Sequence, residues 1–128
     1  MLEPHRPGGA PARRPFSFPD GAAKHWLLSA IVWLTIVDLF GLVLATEFTS
    51  PEAFGGISWL SFSRVRPSHV NGVILAWLTM MYFGALFYML PRLVGTRGMW
   101  SERLGIVCAW AWNAMFLLGV IKIGRAHV

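Results

Sequence analysis

The chain has 128 residues, 55% of them hydrophobic and only 13% charged, with a mean hydropathy of +0.55. A water-soluble domain this small has too little interior to hide that much apolar surface, so a membrane protein is expected. The net charge of +5 does not indicate nucleic acid, because the basic residues flank apolar runs instead of forming a stripe with polar residues between them.

Residues 1–24 are rich in Pro and Gly and carry Arg6, Arg13, Arg14 and Lys24 against Glu3 and Asp20. They read as a disordered polar tail with no core of its own. The tail has no apolar stretch of signal-peptide length, so any targeting information is expected in the helix that follows. That helix is expected over Trp26 to Thr46, with Asp38 as its one ionisable group. About 20 apolar residues cross a hydrocarbon core of about 30 Å. The run is too long for the apolar part of a cleaved signal, which favours an uncleaved span.

Glu47 to Ser68 reads as a loop. It holds Pro51, the Gly55-Gly56 pair and an aromatic patch from Trp59 to Phe62 suited to the headgroup region. Val70 to Leu90 is a second span without formal charge, ended by Pro91. After a short loop with Arg92, Arg97, Glu102 and Arg103, Leu104 to Ile121 begins a third span, expected to be truncated. The chain is thus expected to be an all-α membrane protein with residues 25–122 forming the membrane part. Residues 123–128, Ile-Gly-Arg-Ala-His-Val, read as the translation of a sequencing adapter, so the natural sequence is expected to stop near Lys122 and His127 to ligate nothing. The tail and second loop carry Arg6, Arg13, Arg14, Lys24, Arg92, Arg97 and Arg103, against Arg64 and Arg66 in the first loop. The positive-inside rule then places the N-terminus in the cytoplasm and the first loop outside.

The chemistry concentrates at Ser63-Arg64-Val65-Arg66-Pro67-Ser68-His69-Val70-Asn71. Ser63 or Ser68 is a candidate helix cap, Pro67 suits a first turn, and His69 then projects from about that turn. Counted at 100° per residue, Gly72, Ala76, Thr79 and Phe83 flank the His69 face. Small residues there would let a flat macrocycle approach an imidazole ligand, and they would equally serve plain helix packing. A lone histidine at a membrane interface is more often a hydrogen-bonded structural residue than a ligand. Arg64 and Arg66 sit on the side poor in positive charge, which suggests a fixed anionic partner such as carboxylates; lipid headgroups are the plain alternative. Asp38 is either a proton-path group or a residue bonded to a neighbouring helix. Trp77, Trp110, Trp112, Tyr82 and Tyr88 are read as packing or interfacial residues. The single cysteine, Cys108, is read as a small apolar filler, and one cysteine excludes a disulfide framework or a zinc site.

The run SRVRPSHVNGVILAWLTMMYFGALFYMLPRLVG resembles the second transmembrane helix of the large subunit of cbb3-type cytochrome c oxidases, the C-type branch of the haem-copper oxidases. The family pattern there is close to G-R-hydrophobic-R-P-x-H-x-N, with Ser63 in place of the usual Gly. Ser101-Glu102-Arg103-Leu104-Gly105 and Trp110-Ala111-Trp112-Asn113 resemble the start of that subunit's third helix. The resemblance implies a fragment of a catalytic subunit built as a bundle of about twelve helices. It implies that His69 is an axial ligand of the low-spin haem b, with Arg64 and Arg66 near the haem propionates. Asn71 and backbone carbonyls are candidates for the hydrogen bond at the other imidazole nitrogen. Copper, the high-spin haem and the other ligands would belong to the rest of the subunit, since the chain has only 4 histidines. The fragment alone is therefore expected to be inactive. The implied partners are other oxidase subunits, including c-type cytochromes, and membrane lipid, in a bacterial inner membrane. The alternatives are the large subunit of a bacterial nitric oxide reductase and a small three-span protein without cofactor.

Overall fold

The computed structural model describes residues 20–96 and 98–125, with side chains through 122. Most of the expected polar tail and residues 126–128 of the suspected adapter segment lie outside the described residues. What is described is helical, with no strand, and three helices are long and apolar enough to cross a membrane.

Helix α1 (Gly21–Thr49) begins earlier than hydropathy predicts, so Lys24 is helical rather than part of the tail. Its early start is held by residues far along the chain. The Glu102 carboxylate accepts the Ala22 N–H at 2.6 Å, and the Trp26 indole donates to the Gly105 carbonyl at 3.0 Å. Asp20 receives both ends of the Arg92 guanidinium at 3.0 and 2.7 Å. A carboxylate at a helix N-terminus satisfies an orphan donor and meets the positive end of the helix dipole.

Helix α2 (Phe62–Val94) starts well before Val70, because much of the expected loop is helical. Ser61 occupies the cap position without a side-chain cap bond, so neither Ser63 nor Ser68 caps it, and Pro67 lies inside the helix rather than in its first turn. Residues Gly72–Leu78 form a π segment. Two carbonyls there take side-chain donors: Ile74 from the Thr79 hydroxyl at 2.8 Å, and Leu75 from the Trp112 indole at 2.9 Å. The i→i+5 winding ends the simple 100° count below His69. Pro91 does not stop the helix. Its missing N–H falls near the end, and the helix closes at Gly95 (φ 76°), where Gly95 N–H bonds the Arg92 carbonyl and Thr96 N–H bonds the Pro91 carbonyl. That is a Schellman closure, for which glycine supplies the left-handed residue.

Helix α3 (Glu102–Arg125) begins before Leu104, since the Ser101 hydroxyl accepts the Leu104 N–H at 3.3 Å. Its stretch Glu102–Lys122 is itself long enough to span.

Helix α1 is the centre of the assembly. Ala22, Ala23, Trp26, Ala30, Trp33, Val37 and Leu44 are buried, a stripe at helical spacing that packs on both other helices. Trp26, Ala30 and Trp33 meet Ala76 and Met80 of α2 and Ala109 and Phe116 of α3. Lipid is as apolar as these side chains, so close packing and interhelical hydrogen bonds hold the helices together. The polar pin is Asn113. It accepts the Trp33 indole N–H at 2.8 Å and donates to Ser29 at 3.1 Å and the Ala109 carbonyl at 2.8 Å. The outward faces carry large apolar residues such as Leu42 (65% exposed) and Leu118 (63%), as a hydrocarbon solvent allows.

Candidate functional site

His69 is two turns into α2, on the side that faces α1. Val65, Gly72, Ala76 and Met80 are buried along the same side. The imidazole is half-buried, and its Nδ1 lies 2.8 Å from the backbone carbonyl of Val37. A carbonyl can only accept, so Nδ1 must carry a proton, and in the neutral imidazole Nε2 then keeps its lone pair. The bond at Nδ1 fixes the ring plane and, in the neutral ring, the tautomer, the same arrangement that orients imidazoles which bind metals through the other nitrogen. Of the candidates raised from sequence, the backbone carbonyl is therefore the one used. Asn71 instead lines a groove of about 250 Å³ with Leu75, Trp112, Met115 and Phe116.

The small residues below His69 serve helix packing. Ala76 is fully buried, and Gly72 lies against the Val37 side chain. They are covered by α1 and offer no open wall to a macrocycle. The π segment further removes Thr79 and Phe83 from the flank counted at 100° per residue.

Because Phe62–Asn71 is helical, Arg64 and Arg66 are separated by about 200° and do not face one another. Arg66 is three residues before His69, about 60° from it around the helix, whereas Arg64 is about 140° away. Arg66 is exposed, stacked 6.0 Å from the centre of the Phe62 ring, and lines an open cavity with Ser63, Pro67, Val70 and Asn71. The structure thus separates two arginines that sequence spacing treats as one anion clamp.

Asp38 follows Val37 on α1 but is exposed on its outer side. Cys108 is also exposed, so it does not fill the core as expected. Trp112 spends its indole N–H on the π segment, whereas the Trp77 indole nitrogen is buried without a partner in the described chain. Trp110 and Tyr82 are largely exposed, and Tyr88 lies under the Arg92 guanidinium, 3.6 Å from its ring centre. The other described histidine, His25, is at the opposite end of α1 on the Gly21 carbonyl at 2.8 Å. Among the described residues no three His, Cys, Asp or Glu side chains gather as a metal site. Among the described residues both histidines rest Nδ1 on a backbone carbonyl, His25 within its own helix and His69 across to α1. Sequence reading named backbone carbonyls as a class but could not single out that of Val37. A backbone carbonyl leaves no mark in the identity of its residue; the available signal is Gly41, one turn after Val37 in a span of mostly bulkier residues.

The profile of the family described as "Cytochrome C and Quinol oxidase polypeptide I" matches residues 21–127. The chain is 26% identical over 100 residues to the cbb3-type cytochrome c oxidase subunit CcoN1 of Stutzerimonas stutzeri, covering 78% of this chain and 21% of that protein. It is 27% identical over 126 residues to a cytochrome c oxidase subunit 1 homolog of Agrobacterium tumefaciens, covering 93% of this chain and 23% of the relative. A cytochrome c oxidase subunit 1 homolog of Azorhizobium caulinodans is 30% identical over 104 residues, covering 74% and 18%. The chain spans about a fifth of the length of the curated relatives it matches. No solved structure matches it significantly.

Proposed function

Because the chain belongs to the cytochrome c and quinol oxidase polypeptide I family, we propose that it forms the N-terminal helices of the catalytic subunit of a cbb3-type terminal oxidase, with His69 as one axial ligand of a low-spin haem b. The observation that carries this reading is the 2.8 Å contact of His69 Nδ1 with the Val37 carbonyl, which leaves Nε2 for iron. Haem, when bound, supplies one-electron chemistry that amino-acid side chains lack. The role of this chain is to hold the imidazole in one tautomer and orientation and to present a guanidinium near its outer end. Arg66 is the better placed of the two arginines for a propionate, and Arg64 belongs to another face of the helix.

In the whole subunit the proposed activity is oxidation of cytochrome c, reduction of oxygen to water and proton pumping. The high-spin haem, the copper ion and the second axial ligand of haem b are assigned to the rest of that subunit, since the His69 imidazole makes one bond. The names of the curated relatives favour an oxidase over a nitric oxide reductase. Other oxidase subunits, including c-type cytochromes, are the proposed partners. The bias of Lys and Arg toward the start of α1 and the α2–α3 loop supports a cytoplasmic N-terminus in a bacterial inner membrane.

The test is His69→Ala in the full-length subunit, read by the reduced-minus-oxidised spectrum of purified membranes. The low-spin haem b band is expected to vanish while the protein still accumulates. A band of wild-type intensity would overturn the ligand assignment and leave a structural, cofactor-free role for His69.

A further inference from the structure

We propose that Gly41 is a positioning residue for His69: the side chain it lacks is the space that lets the imidazole reach the Val37 carbonyl. This rests on the axial-ligand reading above and adds to it a residue on a different helix.

A Cβ built on Gly41 would lie 2.9 Å from His69 Cε1, 3.4 Å from Nδ1 and 3.7 Å from Nε2. It would press on the ring edge that joins the two nitrogens. The first distance is shorter than real Cβ atoms allow, so the ring or the helix would have to move. The ring cannot swing aside freely, because Nδ1 is tied to a carbonyl one turn earlier on the same helix. The packing is reciprocal. On α1, Val37 provides a knob and Gly41 a hole; on α2, His69 provides the knob and Gly72 the hole, occupied by the Val37 side chain. Two glycines thus set how closely α1 and α2 approach, and the imidazole is one of the two side chains that fill the gaps.

The acceptor is backbone, so no ordinary side-chain substitution deletes it. Gly41 is therefore the position through which sequence controls this hydrogen bond. A hydrogen bond from Nδ1 to a carbonyl raises the basicity of the ligating nitrogen. A more basic ligand favours the oxidised iron. Weakening the bond should then make the haem easier to reduce, and its midpoint potential should rise.

The experiment compares Gly41→Ala, Leu42→Ala and His69→Ala in the full-length subunit within its oxidase complex. Leu42 is the exposed neighbour and serves as the control. Gly41→Ala should keep the haem content while raising the midpoint potential of the low-spin haem and shifting its electron paramagnetic resonance g values; Leu42→Ala should match wild type. Wild-type potential and g values in Gly41→Ala overturn the proposal. If His69→Ala abolishes the low-spin haem while Gly41→Ala is silent, the ligand reading stands and only the positioning role fails. If His69→Ala keeps the haem, the ligand reading itself fails. Should Gly41→Ala lose haem or fail to assemble, pulsed paramagnetic resonance of the wild-type complex in D2O decides. A slowly exchanging Nδ1 proton supports the seat, and immediate exchange overturns it.

Discussion

Adding one methyl group at Gly72 should destabilise the α1–α2 contact, and removing two at Val37 should rescue it. A Cβ on Gly72 would overlap Val37 Cγ1, while Val37 Cβ at 3.5 Å and Phe116 Cζ at 3.8 Å close the other sides of the space. Val37 is 1% exposed, so it has no lipid-facing rotamer to move into. Overpacking of this kind costs about 1–3 kcal/mol. Val37→Ala alone leaves a void and should cost on the order of 1–2 kcal/mol. In Gly72→Ala/Val37→Ala the new methyl enters that void, so the double variant should cost no more than Val37→Ala alone. The coupling energy then equals the overpacking cost, about 1–3 kcal/mol in favour of the pair. Unfolding of the full-length subunit in bicelles, with mixed detergent as denaturant, measures all four corners of the cycle. Additivity within about 0.5 kcal/mol would refute the packing argument, because it would mean the two side chains do not share the space.

Three further outcomes follow from the same geometry. Arg66→Gln should weaken haem retention in the full-length subunit roughly tenfold to a hundredfold, the effect of losing a charged hydrogen bond of about 1.5–3 kcal/mol. Arg64→Gln should change it much less, and equal effects in a haem-content titration would refute the assignment by helix face. Asn113→Leu removes two interhelical hydrogen bonds and should cost on the order of 1 kcal/mol, at an average of about 0.6 kcal/mol for each such bond in membranes. Adding Trp33→Phe in that background should cost less than Trp33→Phe alone, because the indole N–H has already lost its acceptor. The hydrogen bond from Arg92 holds the Asp20 carboxyl below its ordinary range. The pair's stabilisation is therefore fully present above the unfolded-chain value of about 4 and is lost as the pH falls through that value and then the lower folded one. Asp20→Asn should abolish this acid dependence of unfolding, and because the pair is exposed, high salt should shrink the wild-type effect.

Much of the architecture was legible from composition and local pattern. Three apolar stretches with few charges can only be satisfied as membrane helices, since an unpaired backbone in lipid is prohibitively costly. The motif around Arg64, His69 and Asn71 pointed to the family, and the family profile agrees. The ends of the helices were less legible. Gly21 to His25 joins α1 because Glu102, Gly105 and Arg92 hold its first turn, and these partners are far away in sequence. Pro91 reads as a stop in sequence, yet Gly95 supplies the actual closure. Polar residues make the part of α2 before Val70 look like a loop in sequence, although the helix has already begun at Phe62.

The sequence by itself determined the solvent of this chain, the three spans among its described residues and the histidine that the family motif singles out. These follow from side-chain hydropathy and side-chain chemistry, which residue identity states directly. Which nitrogen of His69 stays available, which arginine shares its side of the helix and what fills the space at Gly72 were decided only when α1 met α2. The groups that decided them are a backbone carbonyl, a helical phase and the absence of two methyl groups. None of these acts until two helices are brought into van der Waals contact.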